Sequence, residues 1–323
     1  PEPGGKTLLN GSFFSSLDDW AADHFPAREG FRKVKAFWQH NVLLDQENNG
    51  YVIYENAIIR LEKKINESSL AYAGEQFASL YDRYLKGTGC RVYTSVIPDK
   101  STWLEAAGFP VMDVTEMEKS LSVCLPSSIS ISLKDSLSLS DYYLTDSHWR
   151  QEKLIPAANR LLREMGAADD IAVEQFKMAE AGPFTGVYAE QSAYPYQPES
   201  LCYLTGSYLD HVRVTDLEKR MPLPIYDPDN CDKRDLYTLF LGGSKAALRL
   251  ENPEAGADKE LVIFRDSFAA SLAPLLLNGY RTVTLIDPRY LSQEAISRFV
   301  RFEDQDVLFL FSAVLLNNSQ GIR

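Results

Sequence analysis

The chain has 323 residues, 45% of them hydrophobic and 24% charged, which is enough apolar sequence to bury the core of one large α/β domain or of two small ones. Its formal net charge is −12 and its Lys and Arg residues are scattered, so we expect no surface that would neutralise the phosphates of a nucleic acid. The apolar runs are shorter than the roughly 20 residues that a membrane-spanning helix needs.

The first elements alternate between helical and extended patterns. Residues 1–45 repeat their apolar positions every three or four residues, with a break at Pro26, which predicts an amphipathic helical arm. The run NNGYVIYENAIIRLE is a turn followed by β-prone residues, and SSLAYAGEQFASLYDRYLKGTG predicts a helix with a serine cap and a glycine stop. CRVYTSVIP then predicts a buried strand. Strand, helix and strand in this order favour a parallel sheet.

The middle of the chain is less regular. The run RQEKLIPAANRLLREMG predicts a helix in which Pro156 is either a kink or a first-turn residue. Residues 171–260 predict short strands or hairpins on either side of a loop rich in Pro and Asp. Because no internal repeat and no low-complexity linker interrupts the sequence, we expect one domain over residues 1–323, with residues 180–255 as inserted strands and loops near the functional site.

The last quarter has the clearest pattern. ELVIFRD, YRTVTLIDP and DVLFLFS predict strands, while SFAASLAPLLLNG and SQEAISRFVRFE, which separate them, predict helices. This β-α-β-α-β order is typical of doubly wound α/β folds, in which ligands bind at the carboxyl ends of the strands.

Ser267 lies where the first of these strands passes into a helix. Its hydroxyl is therefore expected at the carboxyl end of the strand, beside the free N–H groups of a helix N-terminus, which can stabilise an anion on a substrate carbonyl oxygen. Ser267 is a candidate nucleophile, and the alternative is that it only caps the helix.

A serine nucleophile needs a general base and a group that orients the base. Of the four histidines, His24 and His40 lie in the predicted arm and His211 in a predicted strand, whereas His148 follows Asp146 by two residues. In a turn, the Asp146 carboxylate could accept from Nδ1–H of His148 and leave Nε2 free to take a proton. The alternative is a solvated turn that caps the next helix.

The run YYLTDSHW resembles the signature of the bacterial DHHW family, in which Asp-x-His-Trp follows a Tyr-Tyr pair and a Thr, and VIFRDSFAASLAPLL resembles its serine block. That family is similar to the alginate O-acetylation proteins, whose SGNH-hydrolase-like catalytic domains place Asp and His before Ser. Shorter runs, among them VIPDKSTWL, LFLGGSKAALRLEN and DPRYL, extend the resemblance over most of the chain. It implies a three-layer SGNH-hydrolase-like (flavodoxin-like) α/β fold, with a mostly parallel sheet and helices on both faces.

Carried over residue by residue, the resemblance implies Ser267 as nucleophile, His148 as general base and Asp146 as its orienting carboxylate. Candidate oxyanion or substrate-binding residues are Gly243, Ser244, Lys100 and Trp149. The family's Leu-Gly-Gly block commonly continues with Asn-His, where this chain has Ser244 and Lys245. If that Asn donates to the oxyanion, Ser244 must replace it, and losing one such donor costs about 10²–10³ in rate.

Two functions remain open at this point. The first is serine-dependent acyl-ester chemistry, as an O-acetyltransferase or an acetylesterase, on an extracellular or cell-envelope polysaccharide, with no cofactor and no metal. The second is a catalytically weak or inactive protein of the same fold that binds or assembles glycans, with the aromatic residues of VYAEQSAYPYQPESLCY stacking on sugar rings.

The expected compartment rests on the resemblance and on the first residue. Because the sequence begins with Pro1, we expect a leader or a membrane anchor to have been removed. The four cysteines, Cys90, Cys124, Cys202 and Cys231, lack the short spacings of zinc sites and admit either free thiols or one or two disulfides.

Overall fold

The computed structural model describes residues 32–33, 47–48, 50–194, 196–232, 235–256 and 258–323. The predicted arm, residues 1–45, lies outside the described residues apart from Arg32 and Lys33. The strands of the described residues are, in chain order, β1 (Tyr51–Tyr54), β2 (Ala57–Arg60), β3 (Arg91–Ile97), β4 (Ile129–Ser130), β5 (Lys177–Phe184), β6 (Glu199–Thr205), β7 (Arg213–Asp216), β8 (Met221–Leu223), β9 (Ala247–Glu251), β10 (Glu260–Arg265), β11 (Thr282–Ile286) and β12 (Asp306–Ser312). The α-helices of this part of the chain are α1 (Glu67–Leu80), α2 (Val114–Cys124), α3 (Ile155–Glu164), α4 (Val187–Ser192), α5 (Ala269–Leu276) and α6 (Ala313–Leu316).

One mixed sheet of eight strands organises the described residues, in the order β4-β3-β12-β10-β11-β9-β7-β8. The pairs from β4 to β11 are parallel, whereas β9 runs antiparallel to both β11 and β7, and β8 antiparallel to β7. β10 lies in the interior of the sheet, between two parallel neighbours. The segment that follows β10 emerges at the carboxyl edge of these parallel strands. The predicted α/β class is confirmed.

The strands contribute alternate side chains to two hydrophobic cores. On β10, Leu261 and Ile263 belong to a core that includes residues of α3 and α5, while Val262 and Phe264 belong to a core that includes residues of α1 and α2. Because successive side chains of a strand point to opposite faces, helices cover both faces of the sheet. The apolar character of β10 on both faces follows from this burial.

Several local predictions need correction. β1 and β2 form a separate antiparallel hairpin and do not join the parallel sheet, because the turn at Glu55 and Asn56 pairs them with each other. The cap of α1 is Asn66, whose side chain accepts from the N–H of Ser69, and not a serine. The run predicted as a helix after β11 forms only a short 3₁₀ helix, Gln293–Arg298.

Other local predictions agree with the structure. Pro156 is a first-turn residue of α3, where its missing N–H costs nothing. The segment 180–255 contains β6, which pairs with β5 in a separate hairpin, and β7 to β9, which extend the main sheet. The division into one domain stays a prediction.

The structure also bears on the state of the cysteines and on membrane-spanning helices. Cys90, Cys124, Cys202 and Cys231 are all free thiols. In the described part of the chain, no helix combines the length and apolar character that crossing a bilayer requires.

Candidate functional site

Asp146, His148 and Ser267 form one hydrogen-bonded chain. Nδ1 of His148 lies 2.6 Å from Oδ1 of Asp146, and Nε2 lies 2.8 Å from Oγ of Ser267. The Asp146 side chain is buried, whereas the His148 side chain retains 18% of its surface exposed. The fold therefore closes the 119 residues between His148 and Ser267 to a hydrogen-bonding distance.

The charge of Asp146 fixes the direction of these hydrogen bonds. Burial favours a higher pKa for Asp146, but the adjacent His148 ring and the backbone N–H groups of His148 and Val187 lower the pKa to about 2. An ionised carboxylate can only accept, so Nδ1 of a neutral His148 carries the hydrogen and Nε2 accepts from the Ser267 hydroxyl. This is the protonation state that a general base needs to remove the serine proton.

A tight loop presents Asp146 and His148. Tyr142 and Trp149 close the loop as an antiparallel bridge, and the N–H of Tyr143 donates to the carbonyl of His148 at 3.0 Å. Within the loop, Oδ1 of Asp146 also accepts from the backbone N–H of His148 at 2.9 Å. The two-residue spacing therefore lets one carboxylate oxygen bind both the backbone and the ring of His148.

Trp149 joins this loop to the serine segment. Its Nε1–H donates to the carbonyl of Phe268 at 3.0 Å and to Oγ of Ser271 at 2.9 Å. The side chain is fully buried, and a substrate contact by Trp149 stays a prediction. The Asp-x-His-Trp spacing thus aligns His148 with Ser267 and Trp149 with Phe268.

Ser267 lies in the turn between β10 and α5. The buried carboxylate of Asp266 accepts from the N–H of Phe268 at 3.1 Å and from the N–H of Ser312 at 2.8 Å, which holds the turn against the end of β12. The cap position of α5 is Phe268, so the alternative of Ser267 as a helix cap is not what the structure shows.

Two aromatic rings hold the imidazole of His148. The ring of Tyr237 stacks on it with centroids 3.9 Å apart, and the ring of Phe268 lies on a second side at 4.7 Å. The hydroxyl of Tyr237 is in turn 2.8 Å from Oγ of Ser271. Sequence analysis missed Tyr237, because nothing in its local pattern relates it to a loop so far away along the chain.

The second oxygen of Asp146 is bound by the start of α4. Oδ2 accepts from the N–H of Val187 at 3.2 Å, and a Cβ placed at Gly186 would collide with Asp146 and with the carbonyl of Thr145. Glycine at position 186 therefore allows α4 to approach the carboxylate closely. Thr145 adds to this contact, because its Oγ1 accepts from the N–H of Gly186 at 2.8 Å.

Lys100 lies beneath the loop and is fully buried. Its ammonium donates to four carbonyl oxygens, at 2.7 to 3.2 Å, which belong to Ile58, Tyr143, Leu144 and Asp146. Burial lowers the pKa of Lys100 to about 8, against the opposing effect of the nearby Asp146 carboxylate. The ammonium ties the Asp146 loop to β2, and a substrate contact by Lys100 stays a prediction.

The Leu-Gly-Gly block forms a left-handed turn beside the serine strand. Leu241, Gly242 and Gly243 have φ values of 56°, 70° and 74°, and the first of these is costly for a residue with a Cβ. Oγ of Ser244, which is exposed, lies 3.4 Å from the hydroxyl of Tyr290. No contact of Gly243 or Ser244 with Ser267 emerges among the described residues, so their role at an oxyanion stays a prediction.

Arg265, the last residue of β10, connects this turn to the serine. Its buried guanidinium donates to the carbonyl of Asp266 at 3.1 Å and to the carbonyl of Lys245 at 3.2 Å. Burial lowers the pKa of Arg265 from its ordinary value, and the carboxylate of Asp287 opposes this shift.

Within the described residues, no group of three or more His, Cys, Asp or Glu side chains is arranged to hold a metal ion.

The structure combines an α/β fold with hydrogen-bonded Asp, His and Ser side chains at the carboxyl edge of its sheet. This combination makes the protein a candidate member of the class that uses a serine nucleophile. No protein-family model matches the chain, and no curated protein matches it. Among solved structures, a DHHW family protein from Eubacterium siraeum is similar at 16% identity and a TM-score of 0.67, covering 85% of this chain and 95% of its own.

A second similar structure is that of Bacillus cereus PatB1 with a sulfonyl adduct, at 16% identity and a TM-score of 0.62, covering 82% of this chain and 95% of its own. The O-acetyltransferase domain of Pseudomonas putida AlgJ is more distant, at 11% identity and a TM-score of 0.49, over 83% of this chain and 92% of its own. The DHHW family protein matches the family that the sequence motifs resemble. At 16% identity, the likeness to this protein and to PatB1 establishes a shared fold.

Proposed function

We propose that this protein catalyses serine-dependent acyl transfer, as an O-acetyltransferase or an acetylesterase acting on an extracellular or cell-envelope polysaccharide. The observation that carries the proposal is the 2.8 Å distance between Nε2 of His148 and Oγ of Ser267, with Asp146 on the other ring nitrogen. An SGNH-hydrolase-like arrangement, implied by the sequence motifs, is part of this proposal.

The chemistry follows from these contacts. Oγ of Ser267 attacks the carbonyl carbon of an acetyl ester, and its proton passes to Nε2 of His148. The tetrahedral oxyanion collapses, the ester C–O bond breaks, and the leaving alkoxide takes the proton from Nε2. Asp146 stays ionised throughout and stabilises the imidazolium.

A second half-reaction regenerates the enzyme. A water molecule or a carbohydrate hydroxyl gives its proton to Nε2 and attacks the acetyl carbon, and the Ser267 Oγ–C bond breaks as Oγ recovers the proton. Water gives an esterase, and the carbohydrate gives an O-acetyltransferase. The polysaccharide in this proposal rests on the resemblance of the sequence motifs to the alginate O-acetylation proteins, which is an analogy.

The first experiment measures acetate release from p-nitrophenyl acetate together with intact-protein mass. We expect the parent protein to gain one acetyl group on Ser267 and to turn over, and Ser267→Ala and His148→Ala to lose both. Ser127→Ala and His211→Ala change exposed residues and serve as matched controls. Equal background rates in all five proteins would contradict the proposal.

A catalytically inactive glycan-binding protein is the second candidate. The observation that favours it is Ser244 and Lys245, where the resembled family commonly has Asn-His. Glycan binding that survives Ser267→Ala, with no turnover by the parent protein, would select this candidate.

A further inference from the structure

A cavity of about 410 Å³ adjoins the Asp146 loop. Its lining includes Thr185, Val187 and Glu190 at the start of α4, together with Tyr196 and Leu236. The volume falls in the range of pockets that hold small ligands. No step of the acyl chemistry described above uses this cavity.

The walls of the cavity are also the supports of the Asp146–His148 pair. Val187, which lines the cavity, donates its N–H to Oδ2 of Asp146 at 3.2 Å. Leu236, on another wall, directly precedes Tyr237, whose ring stacks on His148. The cavity therefore adjoins two of the elements that hold Asp146 and His148 in place.

The lining combines apolar surface with hydrogen-bonding groups. Val187 and Tyr196 are 50% and 39% exposed, so they offer apolar surface to a ligand. Thr185 and Glu190, which carry a hydroxyl and a carboxylate, line the same space. A pyranose ring presents a face of C–H groups and a rim of hydroxyls, and this lining matches both.

The charge around Glu190 is mixed. The Arg32 guanidinium donates to the backbone carbonyls of Glu190 and Gln191, at 3.2 and 2.9 Å. Because the Arg32 cation lies close to Glu190, we assign recognition of the sugar to hydrogen bonds that the Glu190 carboxylate accepts from its hydroxyls. We do not assign it to a net negative charge of the cavity.

We propose that this cavity is the acceptor subsite, in which one pyranose unit of a glycan stacks on Tyr196, bonds Glu190 through its hydroxyls, and offers a further hydroxyl to His148. This inference rests on the proposed acyl transfer. In the second half-reaction the acceptor hydroxyl must give its proton to Nε2, so an acceptor subsite belongs on the side of His148. A cavity that adjoins the supports of His148 favours transfer to a sugar over hydrolysis.

The test separates the two half-reactions. The full-length protein is acetylated with p-nitrophenyl acetate in the presence of methyl glycosides of glucose, galactose and N-acetylglucosamine, or of methanol as an acceptor without a ring. We expect at least one glycoside to be acetylated in preference to methanol at equal concentration. Tyr196→Ala and Glu190→Gln are expected to lower that transfer roughly tenfold, as the loss of one good contact does.

The same variants should form acetyl-Ser267 at the parent rate, because the cavity plays no part in the first half-reaction. They should also keep their transfer to methanol, because methanol has no ring to bind in the cavity. Met221→Ala and Glu75→Gln change an exposed apolar and an exposed acidic residue elsewhere, and are expected to match the parent in every assay. A parent that forms acetyl-Ser267 but prefers none of the glycosides overturns this inference alone. A parent that forms no acetyl-Ser267 overturns the proposed function itself.

Discussion

The imidazole of His148 and the phenol ring of Tyr237 lie nearly parallel, with 17° between their planes and 3.9 Å between their centroids. The phenol hydroxyl is anchored to Ser271, so the ring is held against the helix that follows Ser267. The stack leaves the imidazole edge free to bond Asp146 on one side and Ser267 on the other. The electron-rich ring face also favours the imidazolium that the proposed transfer of the Ser267 proton would form.

Tyr237→Ala should therefore lower the rate of ester hydrolysis more than Tyr237→Phe. We expect a loss of roughly 10-fold to 100-fold for the alanine variant, from the misplaced imidazole, and a small loss for the phenylalanine variant, which keeps the ring. Steady-state rates with p-nitrophenyl acetate measure both. Equal losses in the two variants would assign the effect to the hydroxyl and not to the stack.

Gly186→Ala should impair the site because the new Cβ collides with Asp146. We expect the start of α4 to shift, the hydrogen bond from Val187 to Asp146 to be lost, and the rate to fall by about tenfold or more. Gly256→Ala is the matched control, since a Cβ there meets nothing within 4 Å. Activity of Gly186→Ala equal to that of the control would contradict the close approach of α4.

Lys100→Met should destabilise the protein strongly. The four carbonyl oxygens bound by the ammonium would lose this donor, and the Asp146 carboxylate would lose a neighbouring positive charge. Breaking a buried charge network of this kind costs about 3–5 kcal/mol of the free energy of unfolding. Urea unfolding of Lys100→Met beside Lys177→Met, which changes an exposed lysine, tests this.

The low pKa of Asp146 makes its contribution to stability depend on pH. Since the folded-state pKa of about 2 lies below the ordinary 3.8, the contribution is complete above the ordinary value and is lost as the pH falls through about 2. The difference in free energy of unfolding between the parent and Asp146→Asn should therefore shrink on acidification. Urea unfolding of both proteins, from neutral pH down to about 3, measures it, and a difference independent of pH would contradict the assignment.

Local patterns were sufficient to predict the parts of the site that lie at the ends of regular elements. Ser267 follows an apolar strand, and Asp146 and His148 have the spacing that lets one carboxylate oxygen reach both backbone and ring. The strands β10, β11 and β12 were predicted because burial on both faces makes them continuously apolar. The adjacency of Asp146, His148 and Ser267 is observed, while their catalytic roles stay predictions.

Long-range contacts decide what the sequence could not predict. Lys100 has the local pattern of a surface lysine, and only the fold brings β2 and the Asp146 loop around its ammonium. Tyr237 and Gly186 likewise acquire their importance from partners distant in the chain. The hairpin β1–β2 was assigned to the main sheet because strand pattern alone does not specify a partner strand.

The guanidinium of Arg265 has a geometric consequence for Ser267, the proposed nucleophile. It holds the carbonyl oxygen of Asp266, and this carbonyl shares one planar peptide group with the N–H of Ser267. In a trans peptide these two groups point in opposite directions, so anchoring the oxygen toward the interior aims the N–H away from the guanidinium. A cation sealed inside the protein thereby sets the orientation, and through polarisation the donor strength, of the amide that adjoins the reacting oxygen.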